Sequence, residues 1–300
     1  MQARNILRGN TKQKALAGVN LTMNAGQTSI AGSMKKSFSA MNLTRIKASQ
    51  TIILNNMKKL EIKEVSKSFD GRKIIDNISV NLNKGEIVSL LGVSGGGKTT
   101  LFNIISGLTT PDCGKVYLNG EDITGKSGRI SYMMQKDLLL PYRTVVDNVA
   151  LPLLMKGEKK RTAREKASAL FEDFGLDGTQ KKYPAELSGG MKQRAALLRT
   201  YLFSDDVALL DEPFSALDTL TKASVHRWYL DVMENIKLTT FFITHDIDEA
   251  ILLSDRIYLL SGTPGRISDE IIISQPKPRT DNFNLSSEFL EYKRRIIQAL

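Results

Sequence analysis

The 300-residue chain has one cysteine, Cys113, and two histidines, His226 and His245. A lone thiol excludes an internal disulfide framework and any cysteine-built metal site. Two histidines without thiol partners cannot complete a structural zinc site. Nowhere do eighteen apolar residues run together, so no stretch is long enough to cross a bilayer as a helix. Acidic residues are missing from the first 56 positions, which carry eight basic ones: Arg4, Arg8, Lys12, Lys14, Lys35, Lys36, Arg45 and Lys47. Removing these eight from the 42 basic residues of the whole chain leaves 34 against 32 acidic residues, a net of +2 for the remainder. The basic balance therefore belongs to the leading segment, and the body has no charge argument for a nucleic-acid partner.

Residues 1–56 also lack helical or strand periodicity and the apolar segment of a secretory signal. Hydroxyl-rich and acid-free, they resemble an organelle transit peptide only faintly. The better expectation is a disordered leader, or a start placed too far upstream. From Met57 the pattern changes to that of a compact domain, and 41% hydrophobic content is enough for a proper core. Leu60 to Val65 and Lys73 to Leu82 alternate as half-buried strands around an Asp70-Gly71 turn. Phe69 lies between them, either as an ordinary hairpin aromatic or as a ring to stack on a purine.

The stretch Gly92-Val93-Ser94-Gly95-Gly96-Gly97-Lys98-Thr99-Thr100 has the spacing of a phosphate-binding loop. The apolar strand Glu86 to Leu91 precedes it. A helix over Lys98 to Leu108 follows, with Leu101, Ile104, Ile105 and Leu108 on one face. A triphosphate needs many close donors, and glycines leave backbone amides uncovered. The helix start adds its own free amides. Lys98 supplies a point charge to the outer phosphates and Thr99 a hydroxyl for Mg²⁺.

Further strands are expected at Lys115 to Leu118, Arg129 to Gln135, Val207 to Leu210, Thr239 to Ile243, Arg256 to Leu260 and around Ile267 to Ile273. Helices are expected from Thr144, over Glu158 to Phe174, after Ser188, over Leu217 to Asn235, over Ile247 to Leu253 and over Ser286 to Leu300. The block from about residue 137 to 190 is helical and polar outside, and reads as a separate subdomain. Four buried strands stop at chemically loaded residues: Leu91 at the loop, Met134 before Gln135, Leu210 before Asp211-Glu212, and Ile243 before His245. In an open parallel sheet these ends converge on one site. Asp211 then holds Mg²⁺ with Thr99, and Glu212 accepts a proton from an attacking water. His245 is either a satisfied structural histidine or a donor to the γ-phosphate. Leu187-Ser188-Gly189-Gly190-Met191 starts a second anion-binding helix, which one site does not need from one chain. A head-to-tail dimer, with Ser188 and its neighbours serving the other copy, is the economical arrangement.

Read together, GVSGGGKTT, Gln135, LSGGMKQR, VALLDEPFSALD and THD resemble the ATP-binding subunit of ABC transporters over residues 58–262. The resemblance implies an α/β P-loop NTPase (RecA-like) core with an antiparallel β subdomain and an α-helical subdomain, and ATP and Mg²⁺ as cofactors. It makes Phe69 the adenine-stacking aromatic and Ser215, Ala216, Leu217 and Asp218 the loop coupling two sites. Gln135 becomes the sensor between Mg²⁺, which it would help to hold, and a membrane permease, with Leu138 to Pro141 lining the docking groove. The segment LLLPYRTVVDNVALPLLMKG, with Thr263 to Ile267, Gln275 to Arg279 and Phe289-Leu290 in the extension over 263–300, resembles the nitrate/sulfonate/taurine importers. Tyr142 stands where many members have tryptophan, and Val93 and Gly96 depart from the commoner loop without removing a donor. The expected partners are a second copy, integral permease subunits and, through them, an extracytoplasmic solute-binding protein, with no nucleic acid. The expected place is the cytoplasmic face of the cell membrane. An exporter ATPase, or a soluble relative acting on nucleic acid or ribosomes, is the alternative.

Overall fold

The computed structural model describes residues 58–204, 206–215, 219–277, 279 and 282–300. The leader expected over 1–56 and the coupling residues Ala216, Leu217 and Asp218 lie outside the described residues.

Alternation builds the first sheet. Strands β1 (Lys58–Phe69), β2 (Arg72–Asn83), β4 (Cys113–Leu118) and β5 (Glu121–Asp122) form an antiparallel sheet in the order β2-β1-β4-β5. Asp70 and Gly71 join β1 to β2 with φ of 48° and 76°, the left-handed pair that a two-residue hairpin demands. One face turns Leu60, Ile62, Val65, Ile78, Val80 and Val116 inward.

The second sheet reads instead as unbroken apolar runs. Its order is β10-β9-β3-β8-β7-β6, from β3 (Ile87–Gly92), β6 (Ser131–Met133), β7 (Val207–Asp211), β8 (Thr239–Thr244), β9 (Arg256–Ser261) and β10 (Arg266–Ile272). All neighbours are parallel except β10 against β9. Every residue of β3, β7 and β8 is buried, because both faces of the sheet are covered. On one side Val88, Leu90, Leu209, Phe241 and Ile243 pack on helix α1 (Lys98–Ile105) and on the inner face of the antiparallel sheet. On the other, Ala208, Leu210 and Phe242 meet side chains of α5 (Gly189–Phe203), α6 (Thr219–Ile236) and the segment between β6 and β7. Each large side chain so buried contributes about 1.5–3 kcal/mol. A third cluster holds the amphipathic α8 (Ser287–Ala299) on α7 (Ile247–Leu253) and the outer strands through Phe289, Ile296, Ile251 and Ile271.

Several expected elements are shorter than their apolar pattern. Helix α1 stops at Ile105, because Gly107 turns left-handed at φ 76° and donates back to Ile104 O. Leu108 is therefore 59% exposed and leaves the helical face assigned to it. The helix expected from Thr144 is two, α2 (Val145–Val149) and α3 (Leu151–Met155), with Pro152 in the first turn of the second. Helix α4 (Lys160–Ser168) ends before Leu170, and the chain reaches Phe174 through turns closed by i−3 bonds at Leu170 and Phe171. This places Phe171 in the core beside Phe174, with Leu170 partly buried. Strand β6 covers only Ser131–Met133, so Gln135 stands two residues beyond its end.

Candidate active site

The carboxyl ends of β3, β7 and β8 open on a cleft of about 350 Å³ lined by Ser94, Gly95, Gly97, Lys98, Thr99, Thr100, Gln135, Asp211 and Glu212, with Ile74 and Ile243. Its shape depends on close backbone approach. A Cβ on Gly92 would lie 2.3 Å from the carbonyl oxygen of Leu260, and one on Gly97 would lie 2.4 Å from Ile75 Cγ2. Gly97 is also the N-cap of α1 at φ 96°, and no side chain caps that helix. Its first amides thus remain available to an anion.

The Thr263 to Ile267 segment buttresses the loop from outside. Gly265 donates to Ile74 O at 2.8 Å and accepts from Asp76 N at 3.0 Å. A Cβ there would meet the carbonyl oxygen of Gly96 at 2.2 Å. Neither Gly265 nor Ile74 carries a local signal for this role, since the contact joins segments far apart in the chain.

Lys98 is buried, and its ammonium donates to Gly92 O at 2.7 Å and Val93 O at 2.8 Å. Burial pushes it below the usual lysine range, while Glu212 and Asp211 pull it back. Asp211, 7% exposed, is pushed above the usual carboxylate range by burial and by Glu212, against the bonds it accepts. Those bonds come from Thr99 Oγ1 and Tyr132 Oη, each at 3.3 Å from Oδ2. Tyr132 is a site residue that sequence reading missed. In the pattern it is simply a strand aromatic, and burial followed by the Asp211 charge raises its phenol well above the ordinary range.

Glu212 stands at φ 47°, in the left-handed region that a non-glycine residue seldom occupies. Its amide donates to Ile243 O at 3.0 Å, and its carbonyl accepts from Ser215 N and Oγ at 3.2 and 3.0 Å. The carboxylate accepts from Gln135 Nε2 at 2.9 Å and lies 3.1 Å from His245 Nδ1. Strand ends separated by more than a hundred residues thus meet in one carboxylate.

Other predicted residues lie elsewhere. Phe69, 46% exposed, ends β1 under the ammonium of Lys67 and does not line the cleft. Ser188 caps α5 by accepting from Met191 N at 3.3 Å, and Ser188 and Gly189 are exposed. None of Leu187, Ser188, Gly189, Gly190 or Met191 lines the cleft.

Among the described residues no group of three or more His, Cys, Asp or Glu side chains is placed to hold a metal ion. One buried carboxylate beside one hydroxyl is instead a sparse oxygen set. It suits a hard cation that keeps waters and takes its remaining ligands from phosphates.

A protein-family model described as "ABC transporter" matches residues 75–215. The formylaminopyrimidine import ATP-binding protein of Halalkalibacterium halodurans is 45% identical over 206 residues, 68% of this chain and 80% of that one. The aliphatic sulfonates import ATP-binding protein of Bacillus cereus is 40% identical over 243 residues, covering 80% and 94%. The nitrate import ATP-binding protein of a Synechocystis species is 36% identical over 251 residues, with the same shares. Among solved structures, a dimeric ATP-binding cassette in a post-hydrolysis state with ADP and Pi superposes with a TM-score of 0.62 at 28% identity, over 72% of this chain and all of that one. The loop and the carboxylate pair fall within the residues that the family model matches, and the chain belongs to the ABC transporter family as an ATP-binding, ATP-hydrolysing subunit.

Proposed function

We propose that this subunit hydrolyses ATP in a head-to-tail dimer and thereby drives import of a small solute, such as nitrate, a sulfonate or taurine, through a separate permease. The observation that carries the reading is the incompleteness of the cleft. Lys98 and the loop amides gather on one side of the triphosphate position. A second helix start suited to the γ-phosphate, at Ser188 and Gly189, is exposed and does not line that cleft. A second copy supplies it in this reading, with Ser215 to Asp218 coupling the two sites. The import direction and the solute class rest on the names of the relatives.

In this reading Thr99, Asp211 and the amide oxygen of Gln135 hold Mg²⁺, which supplies charge neutralisation at the outer phosphates. Glu212 orients a water and takes its proton as the water oxygen bonds to the γ-phosphorus. The bond from phosphorus to the β–γ bridging oxygen breaks, and ADP and phosphate leave. His245, held by Glu212 at 3.1 Å, donates to the γ-phosphoryl oxygens. Phe69, which does not line the cleft, stacks on adenine in this reading once nucleotide is bound. An apolar groove of about 410 Å³ lined by Leu108, Leu138, Met155 and Phe203 receives a permease helix. No described helix is long and apolar enough to cross a membrane, and the subunit works from the cytoplasmic face through that groove.

Glu212→Gln tests the reading. The amide keeps the size of the carboxylate but cannot take a proton, so ATP binding should survive. Hydrolysis should fall about a hundredfold or more, and size-exclusion chromatography with ATP should show a trapped dimer. Turnover at the wild-type rate, or a variant that stays monomeric with ATP, would count against it.

A further inference from the structure

Behind the Glu212–His245 contact lies a part-buried ionic cluster with no part in the chemistry described so far. Glu249, on α7, is 3% exposed. Its carboxylate faces Lys222 Nζ at 3.2 Å and His226 Nε2 at 3.5 Å, both on α6. Lys222 also donates to Asp246 Oδ2 at 2.8 Å. Asp246 is the N-cap of α7, accepting from Glu249 N at 3.1 Å, and is the residue after His245. The ring of His226 meets that of Phe214 edge-on at 4.8 Å, and Phe214 is two residues past Glu212.

Lys222 and His226 are four apart, on one face of α6. One of them therefore grips the segment that carries His245, and the other touches the segment that carries Glu212. Buried ion pairs seldom outdo apolar packing of the same volume in stability, but they do fix geometry.

We propose that Lys222 is a positioning residue for hydrolysis, holding the His245 segment through Asp246 and Glu249 in register with the Glu212 loop. This rests on the roles given above to Glu212 and His245. Neither Lys222 nor Glu249 lines the nucleotide cleft, so their effect should fall on turnover and not on ATP binding.

Lys222→Met alone would strand a buried carboxylate and endanger folding. The double variant Lys222→Met/Glu249→Gln removes both charges and keeps the volume. In the full chain with Mg²⁺ and ATP, its unfolding midpoint and its KM for ATP should match the wild type, while kcat falls about tenfold or more. Lys222→Arg should recover most of the turnover. With two histidines in the chain, His226→Gln assigns the imidazole C–H resonances by NMR, and the His245 signal should shift in the double variant. A folded double variant with wild-type kcat, or a loss of kcat matched by an equal rise in KM, overturns the proposal. Glu212→Gln, run in parallel, separates the two readings. If that variant turns over normally the general-base role fails on its own, whatever the Lys222 series shows.

Discussion

Two opposite charges are held out of water beside the phosphate loop, and each is displaced toward its neutral form. Lys98 satisfies its ammonium on the carbonyls of Gly92 and Val93, contacts that a bound triphosphate would replace or supplement. Asp211 has a threonine hydroxyl and a phenol at 3.3 Å for its Oδ2, and the Lys98 charge nearby offsets only part of the cost of its burial. A carboxyl raised by burial weakens the folded state above its folded pKa, and the penalty vanishes below the unfolded one. Asp211→Asn should accordingly stabilise the nucleotide-free protein at neutral pH by on the order of 1 kcal/mol. That gain should shrink as pH falls and Asp211 takes up its own proton. The same change should abolish Mg²⁺-dependent hydrolysis. Chemical denaturation across pH, beside an ATPase assay, checks both, and a variant less stable than wild type at neutral pH contradicts the account of the charge.

At the scale of the element, helix ends decide which segments stay in place. Helix α7 carries Asp246 and, just before it, His245, so its stability bears directly on the site. Its C-terminal carbonyls have no partners within the helix. Arg279 supplies them from the tail, donating to Ile251 O and Leu252 O at 2.7 Å and to Ser254 O at 2.6 Å. The Gln275 to Arg279 stretch, noticed in the sequence as a mark of the importers, thus has a mechanical use, with Pro278 outside the described residues. Arg279→Met keeps much of the stem but none of the donors. It should cost about 2 kcal/mol, the scale of charge-assisted hydrogen bonds, and should speed amide hydrogen exchange in residues 247–253. Unchanged exchange there would show that α8 alone holds the helix.

At the scale of the molecule, the groove beside the sheet joins elements from both halves of the chain. Leu108 follows α1, Leu138 stands left-handed at φ 48°, Met155 ends α3, and Phe203 ends α5. Met155 is 74% exposed and Leu138 53%, side chains left in water on the rim of an apolar trough. Met155→Glu should leave hydrolysis by the isolated subunit within about twofold, because it touches nothing in the nucleotide cleft. It should also abolish co-purification with a co-expressed permease in detergent. Recovery of the complex at wild-type yield would move the docking surface elsewhere.

Local chemistry was enough to show the phosphate loop. Glycine spacing, a lysine, a hydroxyl and a following apolar face are all adjacent, and each follows from what a triphosphate requires. It was also enough to show the buried parallel strands, since a sheet covered on both sides must read as unbroken apolar runs. Likewise Asp211, Glu212 and His245 stood out because each follows such a run. The ends of α1 and α4 were not legible, because apolar spacing continues past the turns at Gly107 and Leu170 that close these helices. Nor were Tyr132, Gly265 and the Lys222–Glu249 pair, whose partners lie on other elements and leave no periodic trace. Residue types and their neighbours along the chain determined that this protein binds a nucleoside triphosphate, and the order of its motifs pointed to ATP. Tertiary packing alone decided how Gln135, Glu212 and His245 meet and what holds them there, because those contacts exist only once separate strand ends are drawn to one edge of the sheet.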